Sequence, residues 1–148
     1  MRPAAWAEPL LRVVRSADLL LGDPAAWLAD PGNARVPVAV ECWVVDHDAR
    51  HVLLVDHRWR GWVPPGGAVD PGDADLTAHP VLACVRRYRD DWEPSLSFTY
   101  AARSVRAEPQ GEPGQPGAWV PLGAVWPSAF PEDRARIRAH LAGPGAPA

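Results

Sequence analysis

Hydrophobic and polar positions along the chain recur with two different periods. Between residues 7 and 21, Leu10, Val13, Val14, Ala17, Leu20 and Leu21 follow helical spacing, which predicts an amphipathic helix ended by Gly22-Asp23-Pro24. Ala25–Ala29 reads as a further short turn of helix, and Asp30–Asn33 as a loop. The pattern then changes. Residues 36–46 and 51–56 are rich in β-branched side chains and predict two strands joined across His47-Asp48-Ala49-Arg50. Pro37 belongs near the start of its strand or on an edge, because it has no N–H for a ladder. Trp62–Asp73 is loop-rich. Over 80–92 the helical period returns, with Val81, Val85, Tyr88 and Trp92 in one stripe and Pro80 in the first turn. A strand is expected over Leu96–Val105. A flexible loop follows over 107–117, where three prolines and three glycines fall. Ala118-Trp119-Val120 predicts a last short strand. Pro131–Leu141 predicts a terminal helix, whose start Glu132 and Asp133 favour through the helix dipole. This order of elements predicts an α/β (α+β) fold with helices packed on a mixed sheet. It divides the chain into a helical N-terminal extension over 1–35, a domain over 36–142 and a disordered tail over 143–148.

Composition narrows the function classes. A chain of 148 residues with 47% hydrophobic content suits one domain with a real core. The net charge of −3 is spread along the sequence, and no basic stripe interleaves with aromatics, so a nucleic-acid polymer is not an expected partner. All fifteen basic residues are arginine, which leaves no lysine for Schiff-base chemistry or as a phosphate ligand. Cys42 and Cys84 fall in a predicted strand and a predicted helix and read as buried free thiols. No signal-peptide pattern or membrane-length apolar run occurs, so the expected location is cytoplasmic, with no membrane partner.

The passage from Val52 to Asp73, VLLVDHRWRGWVPPGGAVDPGD, carries the most specific chemistry. Glycines let a backbone turn tightly and approach phosphate oxygens closely. The passage resembles the opening of the catalytic box of Nudix hydrolases through Leu53, Leu54, Val55, Trp62, Pro65, Gly66, Gly67, Val69, Asp70, Pro71, Gly72 and Asp73. Ala118-Trp119-Val120-Pro121-Leu122 resembles a C-terminal strand of the same family, so the resemblance spans about residues 36–142. It implies a Nudix-type α/β/α sandwich with a mixed sheet. It also implies Mg²⁺ or Mn²⁺ held by box carboxylates, and hydrolysis of a small molecule in which a nucleoside diphosphate is linked to another group.

The box then departs from the family motif G-x5-E-x7-R-E-U-x-E-E-x-G-U, where U is bulky and apolar. Five residues separate Gly67 from Asp73, where Glu is usual, but seven more reach Val81-Leu82 in place of Arg-Glu. With five extra residues the frame returns as Arg86-Arg87-Tyr88-Arg89-Asp90-Asp91, with Arg for Arg and Asp-Asp for Glu-Glu. Arg87 then reverses the charge of a glutamate, and Glu93-Pro94 replaces the glycine turn. By this resemblance Asp73, Asp90 and Asp91 are the expected metal ligands, with Asp90 and Asp91 also serving catalysis. Trp62, Gly66, Gly67 and Arg86 are the expected substrate contacts. Against that stands a simpler reading, in which Arg86–Asp90 and Arg87–Asp91, spaced i, i+4, are surface ion pairs.

Other polar residues admit two readings each. Glu41 lies inside an apolar strand on the face of Ala39 and Trp43. It is either a base or polar anchor in a cleft, or the partner of an arginine. His79 is a candidate acid or base at the cleft rim, and Glu112 a weaker candidate base. His47, His51 and His57 read as surface or packing histidines. Trp43, Trp62 and Trp92 suit either core packing or stacking on a flat ligand. Three functions remain open: a Mg²⁺-dependent hydrolase, a metal-independent enzyme in a biosynthetic pathway using Glu41 and His79, and a ligand-binding domain without catalysis. The N-terminal helix and the tryptophans would permit a homodimer.

Overall fold

The structure is a computed structural model that describes residues 20–21, 23–33, 36–68, 80–109 and 113–143. Expectations for 7–19, the turn around Asp73, His79, Glu112 and the tail beyond Gly143 lie outside these residues. The chain divides into two compact units, one of Met1–Cys42 with Gly66–Ala101, the other of Trp43–Pro65 with Ala102–Ala148. Two strands, β2 (Ala39–Asp46) and β7 (Ser95–Ser104), contribute residues to both.

In the first unit the strand order is β1 (Leu20–Leu21), β6 (Leu82–Arg86), β7, β2. Strand β5 (Gly66–Ala68) also pairs with β2. The sheet is mixed, because β1 runs parallel to β6 and β6 antiparallel to β7. Helix α1 (Pro24–Ala29) is capped by Asp23, whose carboxylate accepts the Ala26 N–H at 3.2 Å, and Pro24 starts it where no N–H is needed. A 3₁₀ turn, Pro31–Asn33, follows it. Trp27, Val38, Ala83, Leu96 and Phe98 form the core, and the indole N–H of Trp27 donates to the Pro94 carbonyl at 2.9 Å.

In the second unit β3 (His51–His57) pairs antiparallel with the end of β2, with β4 (Gly61–Val63) and with β8 (Gly117–Pro121). Val52 and Leu54 are wholly buried, as the alternation of β3 requires. The β2–β3 turn closes on Asp46, whose Oδ1 accepts the N–H groups of Arg50 and His51 at 2.8 and 3.0 Å. Its Oδ2 meets His51 Nδ1 at 2.8 Å and Arg106 Nε at 3.5 Å. Helix α2 (Asp133–Ala142) buries Ile137.

The predicted strands, the short turn of helix and the terminal helix are all present. The helix predicted over 80–92 is not. Leu82–Arg86 is strand β6, and residues 87–94 form the connection to β7. A helical stripe exposes its opposite face, yet Leu82, Ala83, Cys84 and Arg86 are all buried here, between β1 and β7. A short apolar run does not by its period separate a buried strand from a helix, and pairing on both edges decides it. The same pairing corrects the end of the predicted N-terminal helix, because Leu20–Leu21 lies in β1 against Ala83 and Cys84. Cys84 is accordingly on a strand. It and the half-buried Cys42 are free thiols, and burial pushes the Cys42 thiol up. Two short strands, β4 and β5, stand in the passage predicted as loop.

Candidate functional site

The Gly66-Gly67 pair is built into the first unit by strand pairing. Gly66 stands opposite Glu41 and Gly67 opposite Val40. A Cβ at Gly66 would fall 2.9 Å from the Glu41 Cα, inside any ordinary carbon–carbon contact, so only glycine lets the strands meet. Gly67 differs, because a Cβ there would meet nothing within 4 Å. Both glycines are exposed. The result is an edge of bare backbone held against the strand that carries Glu41.

Glu41 itself is buried, at 6% exposure. Its Oε1 accepts a hydrogen bond from the Thr99 hydroxyl at 3.0 Å. The same oxygen lies 3.8 Å from Arg86 Nη1, and the Arg86 side chain is only 5% exposed. At this distance a unit charge pair attracts by on the order of 4 kcal/mol at an effective dielectric of about 20, against the cost of removing both ions from water. Beside them lies the buried hydroxyl of Tyr88. Burial, and after it the Glu41 charge, push that phenol far above its ordinary range, although Ser97 pulls the other way through a hydrogen bond. Of the two readings of Glu41, the structure supplies the arginine partner.

The recovered box frame is not assembled. Arg86 ends a strand and faces Glu41, and is not on a box helix with Asp90 and Asp91. Those two aspartates are exposed in the connection that follows. Asp91 Oδ1 pairs with Arg89 Nε at 2.9 Å, the Arg89 guanidinium lies 5.8 Å from the Trp92 ring centre, and Arg87 donates to the Trp92 carbonyl. The i, i+4 pairs read from the sequence required the helix and give way to this local arrangement. Asp73 and His79 lie outside the described residues. Trp62 belongs to the second unit, half-buried on β4 opposite Asp56, with its backbone N–H donating to the Pro127 carbonyl at 2.9 Å. Trp43 is buried and Trp92 is exposed. The sequence reading missed Thr99 and the role of Tyr88. The available signal was the alternation of the hydroxyl residues Ser97 and Thr99 with Leu96, Phe98 and Tyr100 along the predicted strand.

Mg²⁺, implied by the resemblance, calls for several carboxylate oxygens converging on one point. Among the described residues no three His, Cys, Asp or Glu side chains gather in that way. Glu41 is faced by a guanidinium and Asp91 is paired with one, so the described donors do not fit a divalent ion.

No family model matches the chain, and no curated protein matches it. Solved structures do. The NUDIX domain of Shewanella oneidensis NrtR, in complex with ADP ribose, is similar with a TM-score of 0.52 at 23% identity, over 78% of this chain and 98% of that one. A MutT structure from work on Aliivibrio salmonicida and Vibrio cholerae gives a TM-score of 0.50 at 18% identity, over 70% and 98%. MutT from Methanosarcina mazei gives 0.50 at 14% identity, over 71% and 94%. The chain has the Nudix fold. The mixed sheet with few helices is the fold class that the sequence resemblance implied. Among the described residues no helix is long and apolar enough to cross a membrane.

Proposed function

We propose that the protein is a Nudix-fold domain that binds a small molecule in which a diphosphate joins a nucleoside to a second group. One observation carries this reading: the bare Gly66-Gly67 edge is held on β2 opposite the buried, arginine-paired Glu41. Exposed glycine backbone admits the close approach that phosphate oxygens need. ADP ribose, bound to the Shewanella domain of the same fold, supplies the ligand class. Glu41 acts as a fixed anchor, because Thr99 donates to its Oε1 and Arg86 Nη1 lies 3.8 Å from the same oxygen. The expected behaviour is binding without turnover.

The test is calorimetric titration of the full chain with ADP-ribose and a panel of nucleoside diphosphate conjugates, with chromatography of the mixture afterwards. Saturable binding with the ligand recovered intact supports the proposal. Failure of the whole panel to bind overturns it.

Hydrolysis with Mg²⁺ or Mn²⁺ is the second reading, and one observation favours it. Gly67 and Asp73 keep the five-residue spacing of the Nudix box, with aspartate for glutamate. In this reading Asp73 contributes to holding the ion, which would neutralise the diphosphate and activate water. Release of a nucleoside monophosphate from any member of the panel would establish it.

A further inference from the structure

Glu41 is a buried carboxylate that stands opposite Gly66 in the β2–β5 pairing. A positive charge already occupies its surroundings. Resting on the ligand reading above, we infer that Arg86 takes the part of a metal at Glu41, and that the Gly66-Gly67 edge binds its ligand without a divalent ion.

The positive charge beside Glu41 is permanent. A guanidinium does not lose its proton in a protein, so Arg86 remains a cation at every pH at which the chain is folded. Its side chain is 5% exposed, and its backbone is fixed opposite Ser95 in the β6–β7 register. Its guanidinium is therefore held away from water beside the carboxylate. A divalent ion at Glu41 would have to share one carboxylate with this cation in a site from which screening water is largely excluded, and the two would repel strongly. Oε1 also accepts the Thr99 hydroxyl, which takes up one of that oxygen's acceptor directions. Glu41, Arg86 and Thr99 thus form a positioning group. It holds β2 with a compensated charge, and β2 in turn holds the glycine edge.

The experiment uses the full chain with ADP-ribose as probe, titrated once in Mg²⁺ and once in EDTA. The expected dissociation constants agree within about threefold, because no ion bridges protein and ligand. A loss of about tenfold or more in EDTA would overturn the inference. A second measurement needs no ligand: Mn²⁺ is titrated into wild type and Glu41→Gln and followed by electron paramagnetic resonance. Equal Mn²⁺ occupancy in the two proteins is expected, and a Mn²⁺ site lost in Glu41→Gln would overturn the role given to Arg86. If Glu41→Gln does not fold, as circular dichroism would show, the comparison moves to the apolar double variant Glu41→Leu/Arg86→Met, with the same two outcomes. Absence of ADP-ribose binding in both buffers counts against the ligand reading alone, and the Mn²⁺ comparison then decides the role of Glu41.

Discussion

Arg86 Nη1 lies 3.8 Å from Glu41 Oε1 although β7 stands between their two strands in the sheet. The two side chains meet across β7, where Thr99 donates its hydroxyl to the same oxygen. One polar group thereby ties three strands together. Removing one partner leaves an uncompensated buried charge, which typically costs roughly 3–5 kcal/mol, whereas replacing both by apolar groups is often nearly neutral. Arg86→Met should therefore lower unfolding stability by about that amount, and Glu41→Leu/Arg86→Met should recover most of it. Urea unfolding of the three proteins measures this. An Arg86→Met variant as stable as wild type would show that the pair carries no structural weight.

The two glycines of the edge predict opposite behaviour. Gly66→Ala places a methyl group 2.9 Å from the Glu41 Cα, so β5 must move off β2. A loss on the order of 1–3 kcal/mol is expected from overpacking of this kind. Gly67→Ala meets nothing within 4 Å, and its unfolding midpoint should stay near that of wild type. Its effect should fall on ligand affinity, because the methyl group stands where a diphosphate would approach. Thermal melting and ADP-ribose titration of both variants separate the two effects. Equal destabilisation by both would contradict the strand pairing.

Asp46 predicts a pH dependence. Burial pushes its carboxyl up, but the backbone N–H groups of His51 and Arg50, together with the His51 ring, outweigh that and bring it down to about 2. An unfolded aspartate titrates at about 3.9. A carboxyl lowered on folding contributes stability above its unfolded pKa and loses it as pH falls through its folded one. The stability gap between wild type and Asp46→Asn should accordingly be constant from neutral pH down to about 5, then shrink between about 4 and about 2. Urea midpoints across that range test it, and a gap that persists unchanged at pH about 2 would refute the assignment.

The resemblance carried by Trp62, Pro65, Gly66 and Gly67 was legible because glycine and proline act on the backbone itself, independently of distant partners. The strands β2, β3 and β7 were legible for a related reason. Their β-branched and aromatic content and two-residue alternation are properties of a dozen residues or fewer. The segment over 80–92 was not. Val81, Val85, Tyr88 and Trp92 fit a helical stripe, and the frame that made Asp90 and Asp91 metal ligands and Arg86 a substrate contact depended on it. No local feature reveals that Leu20–Leu21 pairs on one edge of β6 and β7 on the other.

The sequence by itself determined the strands β2, β3, β7 and β8 and the place of the Gly66-Gly67 run, since periodicity and backbone chemistry are local. Its resemblance implied the Nudix-type fold class, while the pairing of those glycines with β2 came from the tertiary structure. The sequence also posed the question of Glu41, because a carboxylate in an apolar strand needs a partner, but it did not name one. Tertiary structure alone decided that the partner is Arg86, 45 positions further along by the numbering of the two residues. The physical reason is that burial and charge pairing depend on which strands lie side by side. The free energy that places a guanidinium against a carboxylate comes from removing both from water together, and that happens only once the sheet has formed.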